Sequence, residues 1–379
     1  MTLLKTVFWG SAGLLVHTHA GYPLALAAVT RVRRRRRDPA PPAPGGAELP
    51  SVSVIIAAYA EQDVIADRVA NLRALDYPAD RVEVIVVCDG SPDATAQRAR
   101  AAGADMVLEL ARGGKVRAQD AGVQRARHQI VAFSDANVSW SSDALRELVR
   151  PFADPQIGYV CGDVSFVNER GDNQEGLYWR YEMAVRRMES GLRSVTGGNG
   201  AIYATRREAY VVVDPIMGHD LSFPFTMVKH GWRAVYAPDA HAAEKMVPTI
   251  EGEFARKRRM MSHGWPIMLR GGMLSPRGYD PGYAAMILSH RVLRYASPFL
   301  HLAALAASVS LLGRGWIYAA AVVLQLTLLL AALGARRIPA RPLLVARYYV
   351  LTTASLAAGL WDWAAHGTRV GWEPAEGTR

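Results

Sequence analysis

Four side chains stand where they could act on a phosphorylated ligand. Asp89 closes the apolar run "VEVIVVCDGS", and Asp135 closes "VAFSDANVSW". Lys115 sits in the glycine loop "RGGKVRAQ", and Asp220 in "MGHDLSF". Two carboxylates and an ammonium suit a nucleotide diphosphate held with Mg²⁺ or Mn²⁺, hard cations that often take only one or two protein carboxylates beside the phosphates. Asp135 would ligate the metal, Lys115 would neutralise diphosphate oxygens, and Asp89 would accept hydrogen bonds from the base or ribose. Plainer roles compete. "DGSPD" is turn chemistry, and Lys115 could be a solvated loop lysine. The second is weakened because the chain has only five lysines, so nearly all its cations are arginine.

A metal site usually carries a second acid two residues after the first, where this chain has Asn137. An amide oxygen can ligate a hard cation, and its NH₂ can donate to a ribose or phosphate oxygen, without adding negative charge. Asp220 is a candidate general base for an acceptor hydroxyl, and equally an N-cap for a helix beginning near Leu221. Arg256, Lys257, Arg258 and Arg259 form a cationic cluster. Arg256 and Arg259 share a helix face and would meet a pyrophosphate, leaving the other two to water or lipid. A basic face on headgroups is the alternative.

These residues need elements to position them. "SVSVIIAAY", "VEVIVVCD", "DMVLEL" and "HQIVAFSD" read as strands, and the segments between them as helices. Alternating strands and helices imply a parallel α/β sheet with right-handed crossovers. Ligands then sit beyond the carboxyl ends of the strands, where Asp89 and Asp135 both fall. Further on, "SVTGGNGAIYATRR" is a glycine-rich turn before a strand.

The soluble part is flanked by apolar sequence at both ends. About Thr6 to Val29 is long enough to cross a bilayer, at about 20 residues, and reads as an uncleaved anchor. "RVRRRRRDPAPPAPGG" follows, placing its arginines and the soluble domain in the cytosol. The run also fits anionic headgroups. Nucleic acid is not expected, since no zinc spacing or recognition-helix pattern accompanies it. Tyr295–Leu312 and Trp316–Leu333 read as spans. Leu343–Trp363 reads as a third, interrupted by Arg347 and Asp362, with an interfacial or re-entrant helix as its alternative. Cys88 and Cys161 lie in apolar runs and read as buried thiols in a reducing compartment. The implied organisation is an anchor over 1–31, a linker over 32–49, the soluble domain over 50–253, basic interfacial helices over 254–293, membrane helices over 294–366 and a tail over 367–379.

In this order the motifs resemble those of the membrane-bound family-2 glycosyltransferases, the inverting GT-A group with cellulose, chitin, hyaluronan and poly-N-acetylglucosamine synthases. The likeness covers roughly Pro50 to Trp265. It rests on "SVIIAAYAEQDVI", "EVIVVCDGSPDAT", "GGKVRAQDAG", "FSDAN", "GHD" and "RKRRM", with weaker echoes at "GYP" and "GWEP". It implies a GT-A fold and a nucleotide-sugar donor, a UDP-sugar above all. Ala58, Tyr59, Glu61 and Asp89 would hold the nucleoside, Lys115 the diphosphate, and Asp135 with Asn137 the metal. Asp220 would be the base, Gly197, Gly198 and Asn199 would line the acceptor side, and Arg256 and Arg259 would close on the diphosphate. The acceptor would be a polysaccharide or a lipid-linked acceptor, with membrane lipids and a second copy or an export partner as further partners.

Two departures qualify the likeness. His219 stands where the family has an acid. Arg256 and Met260 replace the glutamine and tryptophan of the processive Q-x-x-R-W motif, leaving Trp265 as the nearest aromatic that could face the acceptor. Two rival readings share the early motifs: a polyprenyl-phosphate glycosyltransferase making a lipid-linked sugar donor, and a non-catalytic membrane scaffold.

Overall fold

The computed structural model describes residues 1–36, 48–167, 175–245 and 250–368. Most of the arginine/proline linker, the "GWEP" echo and the tail beyond residue 368 lie outside the described residues. The chain opens with helices α1 (Thr2–Val16) and α2 (Tyr22–Arg36), joined without a break by a π-turn over His17–Gly21.

The soluble domain is built on one eight-stranded sheet. Its strands are β1 (Val52–Ala58), β2 (Val82–Asp89), β3 (Met106–Leu110), β4 (Ile130–Ser134), β5 (Val138–Trp140), β6 (Ile157–Val167), β7 (Tyr203–Arg206) and β8 (Arg233–Lys245), in the order β3-β2-β1-β4-β7-β6-β8-β5. β1 pairs in parallel with both β2 and β4, and β2 with β3. β1, β2 and β4 are buried along their whole length, so they read as unbroken apolar runs. Helices α3 (Ile65–Arg73), α4 (Thr95–Ala101) and α5 (Lys115–Arg125) follow β1, β2 and β3.

Beyond β4 the sheet becomes mixed, in keeping with a GT-A sheet that is mostly but not wholly parallel. β7 runs antiparallel to β4 and β6, β6 and β8 are parallel, and the short β5 closes the edge antiparallel to β8. Between β5 and β8 lie α6 (Ala144–Val149), α7 (Glu175–Leu192) and α8 (His219–Lys229). The core has two layers. One packs Val54, Ile56, Val84 and Val86 against Leu145 and Leu148; the other packs Ile55, Phe133, Tyr159 and Tyr203 against Phe223.

After β8 come α9 (Ile250–Leu269), α10 (Pro281–Met286), α11 (Leu293–Ser310), α12 (Trp316–Gly334) and α13 (Arg341–His366). Four helical stretches among the described residues are long and apolar enough to cross a membrane: Thr2–Arg33, Pro281–Ser310, Trp316–Gly334 and Arg341–His366. The second begins earlier than the sequence suggests, because a π-turn over Ile287–Val292 carries α10 into α11. The charges that interrupt the last are paired: Arg347 with Glu251, and Asp362 with Arg258, both partners on α9.

Candidate active site

The carboxyl ends of β1, β2 and β4 lie side by side at one edge of the sheet. Asp89, the last residue of β2, is 1% exposed. Its Oδ1 accepts the Gly113 N–H at 2.6 Å and its Oδ2 the Gly114 N–H at 2.9 Å. Asp89 therefore anchors the glycine loop that presents Lys115, whatever else it binds. Arg112, in the same loop, lies over the Tyr59 ring and 3.5 Å from Asp89 Oδ2. Gly90 has a φ of +66°, and a Cβ there would stand 2.8 Å from the Arg112 nitrogen, so the turn needs glycine. Ala58 ends β1 fully buried, and Glu61 donates its N–H to Thr95 Oγ1 at 2.9 Å.

Lys115 Nζ donates to Asp135 Oδ1. Behind Asp135, Ser134 Oγ donates to the Asp135 carbonyl at 2.9 Å and accepts from Arg68 Nε at 3.1 Å. Burial lowers the pKa of the Arg68 guanidinium to about 9 despite the opposing pull of Asp135. Burial also opposes the charge on Lys115, but Asp135, helped by Asp220 and Glu244, outweighs it and raises that pKa above its ordinary value. Lys115 is thus in electrostatic contact with three carboxyl groups.

Glu244 is a member of this group that no sequence motif marks. On β8 it pairs in register with Val138, just after Asn137, and the Asn137 amide hydrogen-bonds its carboxyl. Burial, then Asp135, push Glu244 up to about 7 against the pull of Arg256 and Lys115. The Asn137 side chain is therefore turned towards β8 as well as standing beside Asp135.

The glycine-rich turn forms the other wall. A Cβ on Gly200 would lie 3.4 Å from Lys115 Nζ and 3.6 Å from Asp135 Oδ2, and one on Gly198 would lie 1.9 Å from the Tyr159 hydroxyl. The Gly198 N–H donates to the Asp220 carbonyl at 2.6 Å, tying the turn to the start of α8. Asn199 is committed within the turn. Its Nδ2 donates to the Gly162 carbonyl at 2.8 Å, and its Oδ1 accepts from the N–H groups of Ala201 and Ile202. That buried amide shapes the turn expected to line the acceptor side.

Asp220 is half-buried in the first turn of α8. The expected N-cap role falls to Gly218, since the helix already begins at His219. His219 points into the core. Its Nδ1 shares a hydrogen bond with the Tyr203 hydroxyl at 2.8 Å, and its ring stacks on Phe223 at 3.9 Å. Burial, then Lys115, lower its pKa to about 3, so it contributes no charge beside Asp220 at neutral pH.

The depressed His219 pKa has a measurable consequence. The unfolded chain takes up a proton near pH 6.5 that the folded chain refuses until about pH 3, so stability is complete above pH 6.5 and falls as pH drops through that window. The loss is about 2 kcal/mol at pH 5, from 1.36 kcal/mol per pH unit. Thermal unfolding of the wild type and His219→Gln between pH 5 and 7.5 checks this: the variant should show the shallower slope.

Residues 50–264, more than half of the chain, match the family described as "Glycosyltransferase like family 2". The chain belongs to that family. It is 25% identical over 235 residues to the poly-beta-1,6-N-acetyl-D-glucosamine synthase of Staphylococcus aureus, covering 59% of this chain and 57% of that protein. It is 28% identical over 285 residues to the beta-monoglucosyldiacylglycerol synthase of Synechocystis sp., covering 68% and 57%. The chain thus spans little more than half the length of these curated relatives. Among solved structures, the mannosyltransferase of Pyrobaculum calidifontis, in complex with GDP-Man and Mn²⁺, superposes with a TM-score of 0.70 at 24% identity, covering 96% of this chain and all of that one. The fold is GT-A, with long apolar helices on both sides.

Helix α9 brings Arg256 near the same group of side chains. Arg256 makes a two-pronged pair with Glu253, at 2.7 and 2.9 Å, and is close enough to Glu244 to lower its pKa. Arg259 is exposed. Of the two side chains expected in water or lipid, Arg258 is exposed and Lys257 is largely covered. Lys257 pairs with Glu253 at 2.9 Å and lies over the Tyr348 ring, and Arg258 grips Asp362 through two contacts of 2.6 Å. Trp265, expected to face the acceptor, packs between helices. It is buried, donates its indole N–H to the Leu356 carbonyl at 2.8 Å, and packs edge-on against Tyr295, so it joins α9 to α11 and α13.

The donor set suits a hard divalent cation. Asp135 already accepts one cation, the Lys115 ammonium, with Asn137 and Glu244 alongside. No group of three or more His, Cys, Asp or Glu that could hold a metal occurs among the described residues. A bound Mg²⁺ or Mn²⁺ would therefore draw most of its ligands from a diphosphate and water, as these ions do beside nucleotides.

Proposed function

We propose that the protein is a membrane-anchored inverting glycosyltransferase, with its catalytic domain in the cytosol, that moves a sugar from a UDP-sugar to a polysaccharide or lipid-linked acceptor. The observation that carries this reading is the convergence of Asp135, Lys115, Asp220 and the Gly197–Gly200 turn on one cleft at the carboxyl ends of the strands. Asp89 and the Tyr59–Arg112 stack hold the nucleoside, with Ala58 and Glu61 shaping the loop around it. Lys115 takes up diphosphate charge, and Arg256 and Arg259 approach from α9. Asp135 and Asn137 would hold Mg²⁺ or Mn²⁺, which would supply positive charge beside the diphosphate.

Asp220 accepts the proton of the acceptor hydroxyl as its oxygen bonds to the anomeric carbon. The bond from that carbon to the diphosphate breaks, and the nucleoside diphosphate leaves with the electron pair. The Gly198–Asp220 hydrogen bond fixes the acceptor wall relative to the base, and orientation of this kind supplies much of the rate enhancement. A single displacement inverts the anomeric centre. NMR of the product formed from an α-linked donor tests this: a β-linked product is expected, and an α-linked product would rule out the one-step mechanism.

A further inference from the structure

Arg68 of α3 is a cation buried behind Asp135, at 2% exposure. Its hydrogen-bond partners are neutral. Nε donates to Ser134 Oγ at 3.1 Å, Nη1 donates to Asn71 Oδ1, and the guanidinium lies over the Trp140 ring at 4.7 Å. Nη2 is buried with no hydrogen-bond partner among the described residues. Burying a charge on such terms costs stability, and an apolar side chain would serve the core better. The position of this arginine therefore calls for another explanation.

Its partners sit at the two ends of one segment. Ser134 ends β4 and Trp140 ends β5, and Asp135 and Asn137 lie between them. At the near end, Ser134 Oγ accepts from Arg68 and donates to the Asp135 carbonyl. Asn71 holds the far end. It lies three residues after Arg68, on the same face of α3. Its Nδ2 donates to the Trp140 carbonyl at 3.0 Å, and its Oδ1 accepts from the Trp140 N–H at 2.9 Å as well as from Arg68. The Trp140 indole donates in turn to the Ala201 carbonyl at 3.1 Å, beside Gly200, which lies against Lys115 and Asp135. One guanidinium thus braces both ends of the turn and, through the indole, the glycine-rich wall.

We infer that Arg68 is a positioning residue for the divalent cation: with Asn71 it clamps residues 134–140 so that Asp135 and Asn137 stand ready for the metal. The inference rests on the transferase reading above and adds the residues that hold its cation ligands in place. Arg68 acts through Ser134, Asn71 and Trp140, and not on the cation itself. A guanidinium suits the task because its planar fork reaches two acceptors while its face stacks on an indole. An ammonium cannot do all three.

The test uses the full chain in detergent with UDP and Mn²⁺. Mn²⁺ affinity at saturating UDP is read by EPR of the free ion, and UDP affinity by titration in Mn²⁺ and again in chelator. Arg68→Lys keeps the charge and loses the fork. It should weaken Mn²⁺ binding by about tenfold or more, the scale for partners outside a metal's own ligands, and leave UDP binding in chelator unchanged. Asn71→Asp keeps the acceptor for Arg68 and sets a carboxylate against the Trp140 carbonyl. It should weaken Mn²⁺ binding by about three- to tenfold, the scale of one hydrogen bond, and it decides the question if Arg68→Lys does not fold. Arg73→Lys, on the same helix but paired with Asp105, should match the wild type. An arginine acting only through its charge predicts the reverse: wild-type Mn²⁺ affinity in Arg68→Lys and tighter binding in Asn71→Asp, where the new carboxylate neutralises the guanidinium. That pattern would overturn the clamp alone. So would equal losses of UDP affinity in Mn²⁺ and in chelator, which mark a merely structural role. A wild type whose UDP binding ignores Mn²⁺ would instead sink the cation site of the transferase reading, and the clamp with it.

Discussion

Asp220→Asn should lower turnover with a hydroxyl acceptor by about 10²–10⁴-fold, the usual contribution of a positioned general base. Donor binding should stay within about twofold, because Asp220 acts on Lys115 only through its field and Asp135 still holds that ammonium. The main competing role for Asp220 is structural, in the first turn of α8. A carboxylate there favours the helix dipole by about 0.3–1 kcal/mol, so loss of that role alone would lower thermal stability slightly and leave the rate almost intact. The amide is isosteric and the Gly198 contact uses the backbone carbonyl, so the wall of the cleft should survive the substitution. Steady-state kinetics with donor and acceptor varied separately distinguish the two roles. Near wild-type turnover with a polyprenyl phosphate would mean that the acceptor is itself the attacking anion and needs no base.

The second large effect concerns the cation site. Asp135→Asn should abolish Mn²⁺-dependent nucleotide binding, a loss larger than the roughly 10–100-fold typical of partners outside the metal's own ligands. The substitution removes the charge that Lys115 pairs with and that Arg68 lies behind. Asn137→Asp should retain metal-dependent binding. It adds a carboxylate beside Glu244 while Lys115 and Arg256 remain close to offset it. Isothermal titration of UDP with and without Mn²⁺ reads both variants. Equal tolerance of the two would reduce the stretch to a strand-to-turn cap.

Much of this site is legible in the sequence because its floor is locally encoded. Asp89, Lys115 and Asp135 each follow a strand or glycine loop that announces itself by its own residues, and parallel packing brings those ends together. Glu244 is not legible. It reaches the site only because β8 pairs with the short β5 that carries the chain away from Asp135, and nothing near Glu244 signals that pairing. Trp265 misleads for the opposite reason. An aromatic residue in a basic helix resembles a sugar platform, but the face of α9 that is buried is set by α13, a helix whose apolarity suggests only a membrane. Asn199 beside two glycines looks open, whereas two hydrogen bonds within the turn and one to Gly162 on β6 turn it inward. His219 cannot be assigned from its neighbours in sequence either, since the rings that enclose it come from β4, β7 and the segment before α8.

The central claim is metal-dependent transfer from a nucleotide sugar. Its most direct test is nucleoside diphosphate release by the purified full chain with a panel of UDP- and GDP-sugars and membrane lipids, in Mn²⁺ and again after chelation. Release with at least one UDP-sugar, abolished by the chelator and accompanied by a glycosylated product in the mass spectrum, is the predicted result. Absence of nucleotide release with every donor would contradict the account.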